Sequence, residues 1–196
     1  MLQKKANNHL IWNMVSPSSG ILLIADPFLK DPNFMRTVVF LCDHQEEGSM
    51  GFVINKQIEQ TLDELMDGFD GYKIPVYYGG PVQMDTIHFL HQYPGKIPGG
   101  QQVMKGVYWG GDFSLLAEMV KNGEIDFNKV RFFLGYSGWG NGQLDGELNE
   151  KSWLTVQATR KILFHEQPDD IWKDSLKQLG GEYEMMINFP IDPSLN

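Results

Sequence analysis

The sequence RFFLGYSGWGNGQLDGEL, residues 131–148, contains an apolar segment, a run of closely spaced glycines and then a segment with helical spacing. Residues 130–136 combine branched and aromatic side chains, and this pattern predicts a buried strand. Leu144 and Leu148 lie one helical turn apart, which predicts a helix over residues 142–150. The glycines between the two elements predict a sharp turn: Gly135, Gly138, Gly140 and Gly142.

The rest of the chain mixes strand and helix patterns. Runs of branched and aromatic residues bounded by glycine or proline predict strands at residues 20–25, 36–43, 48–56, 74–81, 86–92 and 101–111. Thr61 and Glu64 form a capping box, Asp112 is the predicted N-cap of a second helix, and residues 169–181 show a late amphipathic pattern. Since strands and helices do not alternate strictly, we expect an α+β domain on a curved, mainly antiparallel sheet.

The composition limits the class of protein. With 196 residues and 42% hydrophobic content, we expect one domain over residues 20–196 after an N-terminal extension over residues 1–19. The apolar runs are far shorter than the roughly 18 residues that span a membrane, and the N-terminus lacks the layout of a secretory signal. We therefore expect a cytoplasmic protein without a membrane partner.

The charge argues against direct nucleic-acid binding. The formal net charge is −9, so the molecule as a whole repels polyanions. The densest basic clusters, Lys4 with Lys5 and Arg160 with Lys161, are not interleaved with aromatic residues that could stack on bases. We therefore expect no direct contact with DNA or RNA.

Ser137 lies in the glycine-rich segment, where a hydrolase nucleophile would need the pattern Gly-x-Ser-x-Gly. Gly135 satisfies this pattern, but Trp139 occupies the position of the second glycine, so we expect Ser137 to be a turn hydroxyl. Walker A and dinucleotide fingerprints are absent, and the sequence predicts no cofactor. Two interpretations of the turn remain: its backbone amides bind a polar or anionic ligand, or its glycines only permit a tight reversal.

Cys42 and His44 lie two residues apart on a predicted strand and therefore on one face, where a thiolate–imidazole pair could form. The apolar run before Cys42 favours the alternative, a small buried core residue. We expect no metal site, because His88 and His91 are three residues apart and so face opposite sides of a strand.

Two other groups of residues have predicted structural roles. Glu147 and Lys151 show the i, i+4 spacing of an ion pair, so we interpret Asp145, Glu147 and Glu150 as residues of a solvated helix face. Aromatic residues on predicted strands are expected to pack in the core rather than to form a stacking platform. They are Tyr77, Tyr78, Tyr108, Trp109, Phe132 and Phe133.

Several blocks occur in an order that resembles the AlgH/YqgE family of bacterial proteins, from residue 20 to about residue 190. They are GILLIADPFLKDPNFMRTVVFLCDH (20–44), GSMGFVINK (48–56), GGP (79–81), FLH (89–91) and GYSGWGNGQLDGEL (135–148). Within them, the matching positions are Asp31, Pro32, Phe34, Arg36, Cys42, His44, Gly48, Met50, Gly51, Asn55, Lys56, Gly79, Gly80, Pro81, His91, Gly135, Trp139, Gly142, Gln143 and Leu144. The chain departs from the family pattern at Gln57, usually proline, and at Asp145, usually glutamate.

The resemblance implies an α+β fold in which a bifurcated sheet forms a pseudo-barrel flanked by helices. It implies no established activity, although one branch of the family is labelled a transcriptional regulator of alginate synthesis. Because the chain is acidic, we expect any such regulation to be indirect. The leading hypothesis is a cytoplasmic binding or regulatory protein that acts through a small ligand or a protein partner. The alternative is an enzyme or redox sensor that uses Cys42 with His44.

If the turn binds a ligand, we expect two other motif loops to take part, because a rigid sheet can position such loops together. Lys56 would supply positive charge, Gln143 a directional hydrogen bond, and Trp139 an apolar wall. The full predicted ligand site is Asn55, Lys56, Gly79, Gly80, Gly135, Trp139 and Gln143. The alternative is that Asn55 and Lys56 only end a strand while Trp139 fills the core.

Overall fold

The computed structural model describes residues 14–189. Its strands are β1 (Ile21–Ala25), β2 (Val38–Gln45), β3 (Gly48–Val53), β4 (Gln57–Thr61), β5 (Pro75–Tyr78), β6 (Val82–His91), β7 (Gln101–Met104), β8 (Val107–Trp109), β9 (Val130–Gly140) and β10 (Trp153–Gln157). Its helices are α1 (Leu62–Leu65), α2 (Phe113–Lys121), α3 (Gln143–Asn149), α4 (Arg160–Leu163), α5 (Pro168–Leu179) and α6 (Glu182–Met186). The predicted extension over residues 1–19 lies largely outside the described residues, and the domain boundary stays a prediction.

The ten strands form one sheet with the main path β10-β1-β2-β3-β9-β6-β8-β7. Neighbouring strands along this path are antiparallel. The predicted α+β class and the mainly antiparallel sheet are therefore confirmed. The path starts at β10 and ends at β7, so within residues 14–189 the sheet stays open, and the pseudo-barrel that the family resemblance implies does not close.

The sheet branches at β9. The first half of β9 pairs antiparallel with β6 and parallel with β5, where Phe132 lies opposite Val76. Its second half pairs with β3, where Ser137 lies opposite Gly51. Strand β4 pairs antiparallel with β5 and forms the outer strand of that branch. The bifurcation that the family resemblance implies thus lies on one strand.

Gly135 lies between the two halves of β9 and has a φ of 68°. The register with β6 is irregular here, because it passes from Val82 opposite Tyr136 to Ile87 opposite Leu134. A Cβ atom on Gly135 would lie 2.7 Å from the carbonyl oxygen of Gly80. Both the left-handed backbone and this close approach require glycine.

The predicted sharp turn is shorter than expected. Strand β9 continues to Gly140 because its second half pairs with β3, and helix α3 begins at Gln143 after the left-handed Gly142. Ser137 therefore lies within a strand, and its buried hydroxyl donates to the carbonyl oxygen of Gly79 at 3.0 Å. The expectation of a turn hydroxyl is corrected, because strand pairing keeps this glycine-rich segment extended.

The predicted helix starts agree with the structure. The backbone N–H of Thr61 donates to the carboxylate of Glu64 at 3.0 Å, and Asp112 accepts from the backbone N–H of Leu115 at 3.0 Å. The late amphipathic pattern forms α5, which buries Trp172, Leu176 and Leu179. Strands β4 and β10 had no corresponding prediction, and the single predicted run over 101–111 divides into β7 and β8.

The central strands are covered on both faces. Alternate residues of β1 and β2, including Leu22 and Phe40, pack with α5 in what we call the α5-side core. The intervening residues, including Leu23 and Leu41, pack with Leu144 of α3 in the α3-side core. A third cluster lies beneath α2. These strands are therefore apolar on both faces, as their continuous hydrophobic runs predict.

Candidate functional site

A β-bulge in β2 determines the environments of Cys42 and His44. The register with β3 passes from Leu41 opposite Gly51 to Asp43 opposite Met50, so Cys42 is an extra residue on β2. Cys42 packs in the α5-side core, whereas His44 lines a cavity bordered by α3. The structure does not bring the two side chains to one face, because the bulge reverses their alternation. A reactive role for the pair stays a prediction.

The Cys42 thiol lies in an apolar environment. The side chain is fully buried, and its Sγ atom lies 3.7 Å from the carbonyl oxygen of Phe40. Burial raises the pKa of the Cys42 thiol well above its usual value, and the charge of Asp43 raises it further. The thiol is therefore protonated at neutral pH, which is typical of a core cysteine.

The imidazole of His44 belongs to a different cavity. Its Nδ1 atom lies 2.7 Å from the hydroxyl oxygen of Ser49, across the β2–β3 hairpin. Both residues line a cavity of about 530 Å³ that Gly142 of the β9–α3 connection and Asp145 of α3 also border. The glycine-rich connection thus borders a concave surface, although Gln143 and Trp139 belong to other contacts.

Asn55 follows β3 in the chain, and its side-chain amide binds the backbone at the start of β2. It is 9% exposed; its Oδ1 atom accepts from the backbone N–H of Val38 at 2.8 Å, and its Nδ2 atom donates to the carbonyl oxygen of Arg36 at 2.9 Å. The amide therefore binds backbone groups at and just before the start of β2.

Lys56 stabilises the loop between β1 and β2. Its Nζ atom donates to the carbonyl oxygens of Asn33 at 2.9 Å and of Pro32 at 3.3 Å. Partial burial lowers the pKa of Lys56, and the charge of Asp31 partly offsets this effect. Lys56 and Asn55 also line an open cavity of about 710 Å³ near the start of α5.

Gly79 and Gly80 let the β5–β6 connection approach β9 closely. A Cβ atom on Gly79 would lie 2.1 Å from the carbonyl oxygen of Gly135, and one on Gly80 would lie 2.2 Å from the carbonyl carbon of Tyr136. The N–H of Gly79 donates to the carbonyl oxygen of Leu134 at 2.9 Å. These glycines therefore have a structural requirement that is independent of a ligand.

Trp139 and Gln143 converge on Glu147, which the sequence did not single out as more than a surface residue. The indole Nε1 of Trp139 donates to Glu147 Oε2 at 2.8 Å, and Trp153 donates to the same oxygen at 2.7 Å. Gln143 Nε2 donates to Glu147 Oε1 at 3.0 Å. Among the ion pairs of residues 14–189, none joins Glu147 to Lys151. The expected surface pair is therefore corrected, because the indoles bind this carboxylate.

The structure thus divides the predicted ligand site among several places. Asn55 and Lys56 line one cavity, the glycines pack at the branch of the sheet, and Trp139 and Gln143 contact Glu147. Ligand binding by these seven residues together stays a prediction.

A broad open cleft of about 810 Å³ lies between the β2–β3 hairpin and strands β6, β8 and β9, and we call it the hairpin cleft. Residues that matter for its chemistry are Asp43, Glu47, Met50, His88, Trp109 and Tyr136. The sequence predicted core positions for strand aromatics, yet Trp109 is only half-buried. Trp109 lies opposite Leu90 of β6 and Gln101 of β7, and it lines the open cleft, which accounts for its remaining exposure.

His88 lies among the aromatic residues of the hairpin cleft. The centroid of its ring is 5.2 Å from Phe52, 6.2 Å from Trp109 and 6.0 Å from Tyr136. Its Nε2 atom is shielded from solvent and has no hydrogen-bond partner within the described part of the chain. Burial lowers the pKa of His88, so the imidazole is neutral at pH 7.

The hairpin cleft carries negative charge. Asp43 and Glu47 contribute carboxylates, and its lining residues include no lysine or arginine. Trp109 and Tyr136 are half-buried and line the same cleft, and aromatic rings attract cations. The arrangement can therefore accept a positively charged group with an apolar stem.

Residues 14–189 contain no group of three or more histidine, cysteine, aspartate or glutamate residues arranged to hold a metal ion. None of their helices has the length and apolar character needed to cross a membrane.

Comparisons with other sequences give consistent results. The model of a family described as AlgH-like matches residues 22–184. A UPF0301 protein of Chlorobium limicola is 45% identical over 177 residues, which cover 90% of this chain and 95% of that protein. A UPF0301 protein of Bacteroides thetaiotaomicron is 42% identical over 185 residues, or 94% of each chain.

Two solved structures share the fold. The solution structure of the AlgH protein from Pseudomonas aeruginosa has a TM-score of 0.69 and 30% sequence identity, and the match covers 90% of this chain and 97% of that one. The crystal structure of protein DIP2367 from Corynebacterium diphtheriae has a TM-score of 0.75 and 17% identity, with coverage of 90% and 94%. At this lower identity the likeness concerns the fold alone.

Proposed function

The chain belongs to the AlgH-like family, and from this premise we propose that it is a non-enzymatic binding protein whose hairpin cleft binds a positively charged segment of a protein partner. One observation carries the proposal: the aromatic faces of Trp109 and Tyr136 share a cleft with the carboxylates of Asp43 and Glu47. Carboxylates and aromatic faces both attract lysine and arginine side chains.

The shape of the hairpin cleft favours a protein segment over a small molecule. Sites for small molecules enclose most of the ligand surface. This cleft is wide and open, and Gln45, Glu47 and Gln83 at its rim are exposed. An extended segment could lie along it while its basic side chains contact the carboxylates. Of the predicted ligand-site residues, Trp139 also lines the cleft, but its indole packs in the α3-side core and donates to Glu147.

The proposal is tested by titrating the protein with a lysine- and arginine-rich peptide while intrinsic tryptophan fluorescence is recorded. The matched control is the same peptide with glutamate at each basic position. We expect the double substitution Asp43→Asn with Glu47→Gln to weaken binding of the basic peptide at least about tenfold, because charged contacts contribute strongly to such interfaces. Equal affinity for the acidic peptide would contradict the proposal, and so would unchanged affinity of the double variant.

Two further measurements separate other possible ligands from the proposed one. If tetramethylammonium alone saturates the cleft as tightly as the peptide, a small amine rather than a protein segment is the ligand. Native mass spectrometry of freshly purified protein would reveal a small molecule that co-purifies. A partner segment instead predicts no such small-molecule adduct.

We further propose that any effect on transcription is exerted through the partner and not through DNA. The net charge of −9 and the acidic hairpin cleft support this view, because contacts to phosphates need basic residues. In about 150 mM salt, duplex DNA should show no sequence-dependent mobility shift with the protein. A shift at submicromolar protein would overturn the proposal.

An enzymatic or redox role for Cys42 with His44 is the alternative, and its geometric support is weaker. The thiol lies in the core, and His44 is engaged with Ser49 on the other side of the bulge. We therefore favour binding over catalysis.

A further inference from the structure

Arg131 is a buried cation whose neighbours are carbonyl groups and an aromatic ring. It is 6% exposed; Nη1 donates to the carbonyl oxygen of Ile54 at 3.0 Å and Nη2 to that of His165 at 2.7 Å. Its Cζ atom lies 4.3 Å from the centroid of the Tyr77 ring. Among the ion pairs of residues 14–189, none includes Arg131. A buried charge without an opposite charge is unusual in proteins.

The guanidinium group borders a small cavity of about 190 Å³ between β5, the start of β9 and the segment after α4. Apolar side chains form much of its wall, including Ile74, Phe127 and Phe164. An arginine side chain has five N–H groups in a planar fork, and the two carbonyl contacts use two of them. The fork can therefore still donate to oxygen atoms of a ligand.

We propose that this cavity binds a small organic carboxylate, with Arg131 as its charged partner. The planar carboxylate matches the geometry of the guanidinium fork and supplies the negative charge that the protein does not place there. The apolar wall formed by Phe127 and Phe164 favours a ligand with an apolar or aromatic body over inorganic phosphate. The size of the cavity limits that body to a few carbon atoms or one ring.

The electrostatics of the cavity agree with this assignment. Burial lowers the pKa of Arg131, and only the contact with Tyr77 acts in the opposite direction. An anion in the cavity would offset the cost of burying the cation. Glu166, at the rim, is exposed, so water and salt screen its repulsion of an anionic ligand.

This site is independent of the proposed function. The cavity beside Arg131 and the hairpin cleft have no lining residue in common. A failure of either proposal therefore leaves the other unaffected.

The experiment titrates the full chain with benzoate and monitors backbone amide shifts of Asn128, Arg131 and His165 by NMR. Benzamide, which has nearly the same shape without the charge, is the matched control, and inorganic phosphate is the second control. We expect benzoate to bind at least about tenfold more tightly than benzamide, because hydrogen bonds between two charged groups are stronger than those to a neutral amide. Equal shifts with benzamide, or saturation by phosphate at lower concentration, would overturn the proposal.

Variants test which residues form the site. Arg131→Gln removes the positive charge, and we expect it to abolish the preference for benzoate over benzamide. If this variant does not fold, Phe127→Ala decides instead, because Phe127 is 45% exposed and its removal opens the apolar wall. We expect Phe127→Ala to weaken benzoate binding several-fold while Phe28→Ala, at another exposed phenylalanine outside the cavity, does not. Unchanged affinity in Phe127→Ala would exclude this cavity as the binding site.

Removing the negative charge of Glu166 at the rim of the cavity should strengthen benzoate binding rather than weaken it. Glu166→Gln should tighten benzoate binding by about twofold to threefold, since solvent screens most of the effect of an exposed charge. Benzamide binding should not change. A loss of benzoate affinity in Glu166→Gln would contradict the assigned position of the carboxylate.

Discussion

The indole nitrogen of Trp139 lies 2.8 Å from the carboxylate of Glu147, so a helix α3 side chain holds a tryptophan of strand β9. The same oxygen accepts the indole N–H of Trp153 from β10, and the two rings meet edge to face with centroids 6.0 Å apart. Phe34 of the β1–β2 loop packs on both indoles. The Glu147 carboxylate thereby links helix α3 to strands β9 and β10.

Substitution of Glu147 should destabilise the fold. We expect Glu147→Ala to lower the free energy of unfolding by about 2–4 kcal/mol, because two indole N–H groups lose their acceptor in a largely buried place. Glu147→Gln should cost less, since its amide oxygen can still accept from the indoles. Urea denaturation followed by tryptophan fluorescence measures both effects. Glu150→Ala, on the exposed end of α3, is the control, and an equal loss there would refute the argument.

Adding one methyl group at Gly79 should have a large effect. A Cβ atom there would lie 2.1 Å from a backbone oxygen of Gly135, so β5 or β9 must move. We expect Gly79→Ala to lose about 3 kcal/mol or more, or not to fold. Gly146→Ala is the matched control, because no atom lies within 4 Å of its added Cβ and alanine favours a helix by about 1 kcal/mol. Thermal unfolding should therefore move in opposite directions for the two variants.

Alkylation kinetics test the environment of Cys42. We expect iodoacetamide at pH 7 to label the native protein far more slowly than a free thiol, because the Cys42 side chain is buried and its pKa is raised. Labelling should become fast in denaturant, and mass spectrometry after quenching measures both rates. Native labelling faster than that of a small thiol would restore the enzymatic or redox alternative.

His91 should make stability depend on pH. The backbone N–H of Tyr93 donates to Nδ1 at 3.2 Å, and Nε2 lies 3.1 Å from the carbonyl oxygen of Gly110, so these partners assign the proton to Nε2. Burial lowers the pKa of His91. As pH falls below about 6.5, His91 is therefore protonated in the unfolded chain before it is protonated in the folded protein. The free energy of unfolding decreases as pH falls through that range.

The measurement compares urea unfolding at pH 7.5 and pH 5.5 for the parent protein and His91→Gln. We expect the variant to lose less stability on acidification, because it lacks the group whose protonation the fold disfavours. Contributions from other titratable groups, including His88, cancel in this difference. An identical loss in both proteins would show that the His91 imidazole is protonated equally well in the folded state.

The pattern of side chains predicted the fold class and most elements, because hydrophobic spacing and capping residues are local signals. The early end predicted for β9 was wrong, since glycines at 138 and 140 permit a turn but pairing with β3 keeps them extended. The bulge at Cys42 likewise depends on the partner strand, and its local sequence of apolar residues does not reveal it. Register is a tertiary property, so residue spacing alone could not assign the faces of Cys42 and His44.

The candidate sites likewise depend on contacts between distant segments, which the local sequence does not reveal. The hairpin cleft combines Asp43 and Trp109 from distant parts of the chain, and neither residue stands out in the sequence. Arg131 lies within an apolar strand pattern, where a charged residue is itself a sign of an unusual environment. Its lack of a carboxylate partner becomes visible only when the neighbouring segments are in place.

The pairing of β1 with β10 has a consequence for the order of folding during synthesis. Ile21 lies opposite Gln157, so β1 is synthesised well before the strand β10 with which it pairs. Until β10 is made, one edge of β1 can pair only with solvent or with another chain. Contacts between such distant residues slow folding, and nascent chains with an unpaired apolar edge are prone to associate. Chaperone dependence should therefore be greatest for ribosome-bound chains that have exposed β1 and β2 but not yet β10.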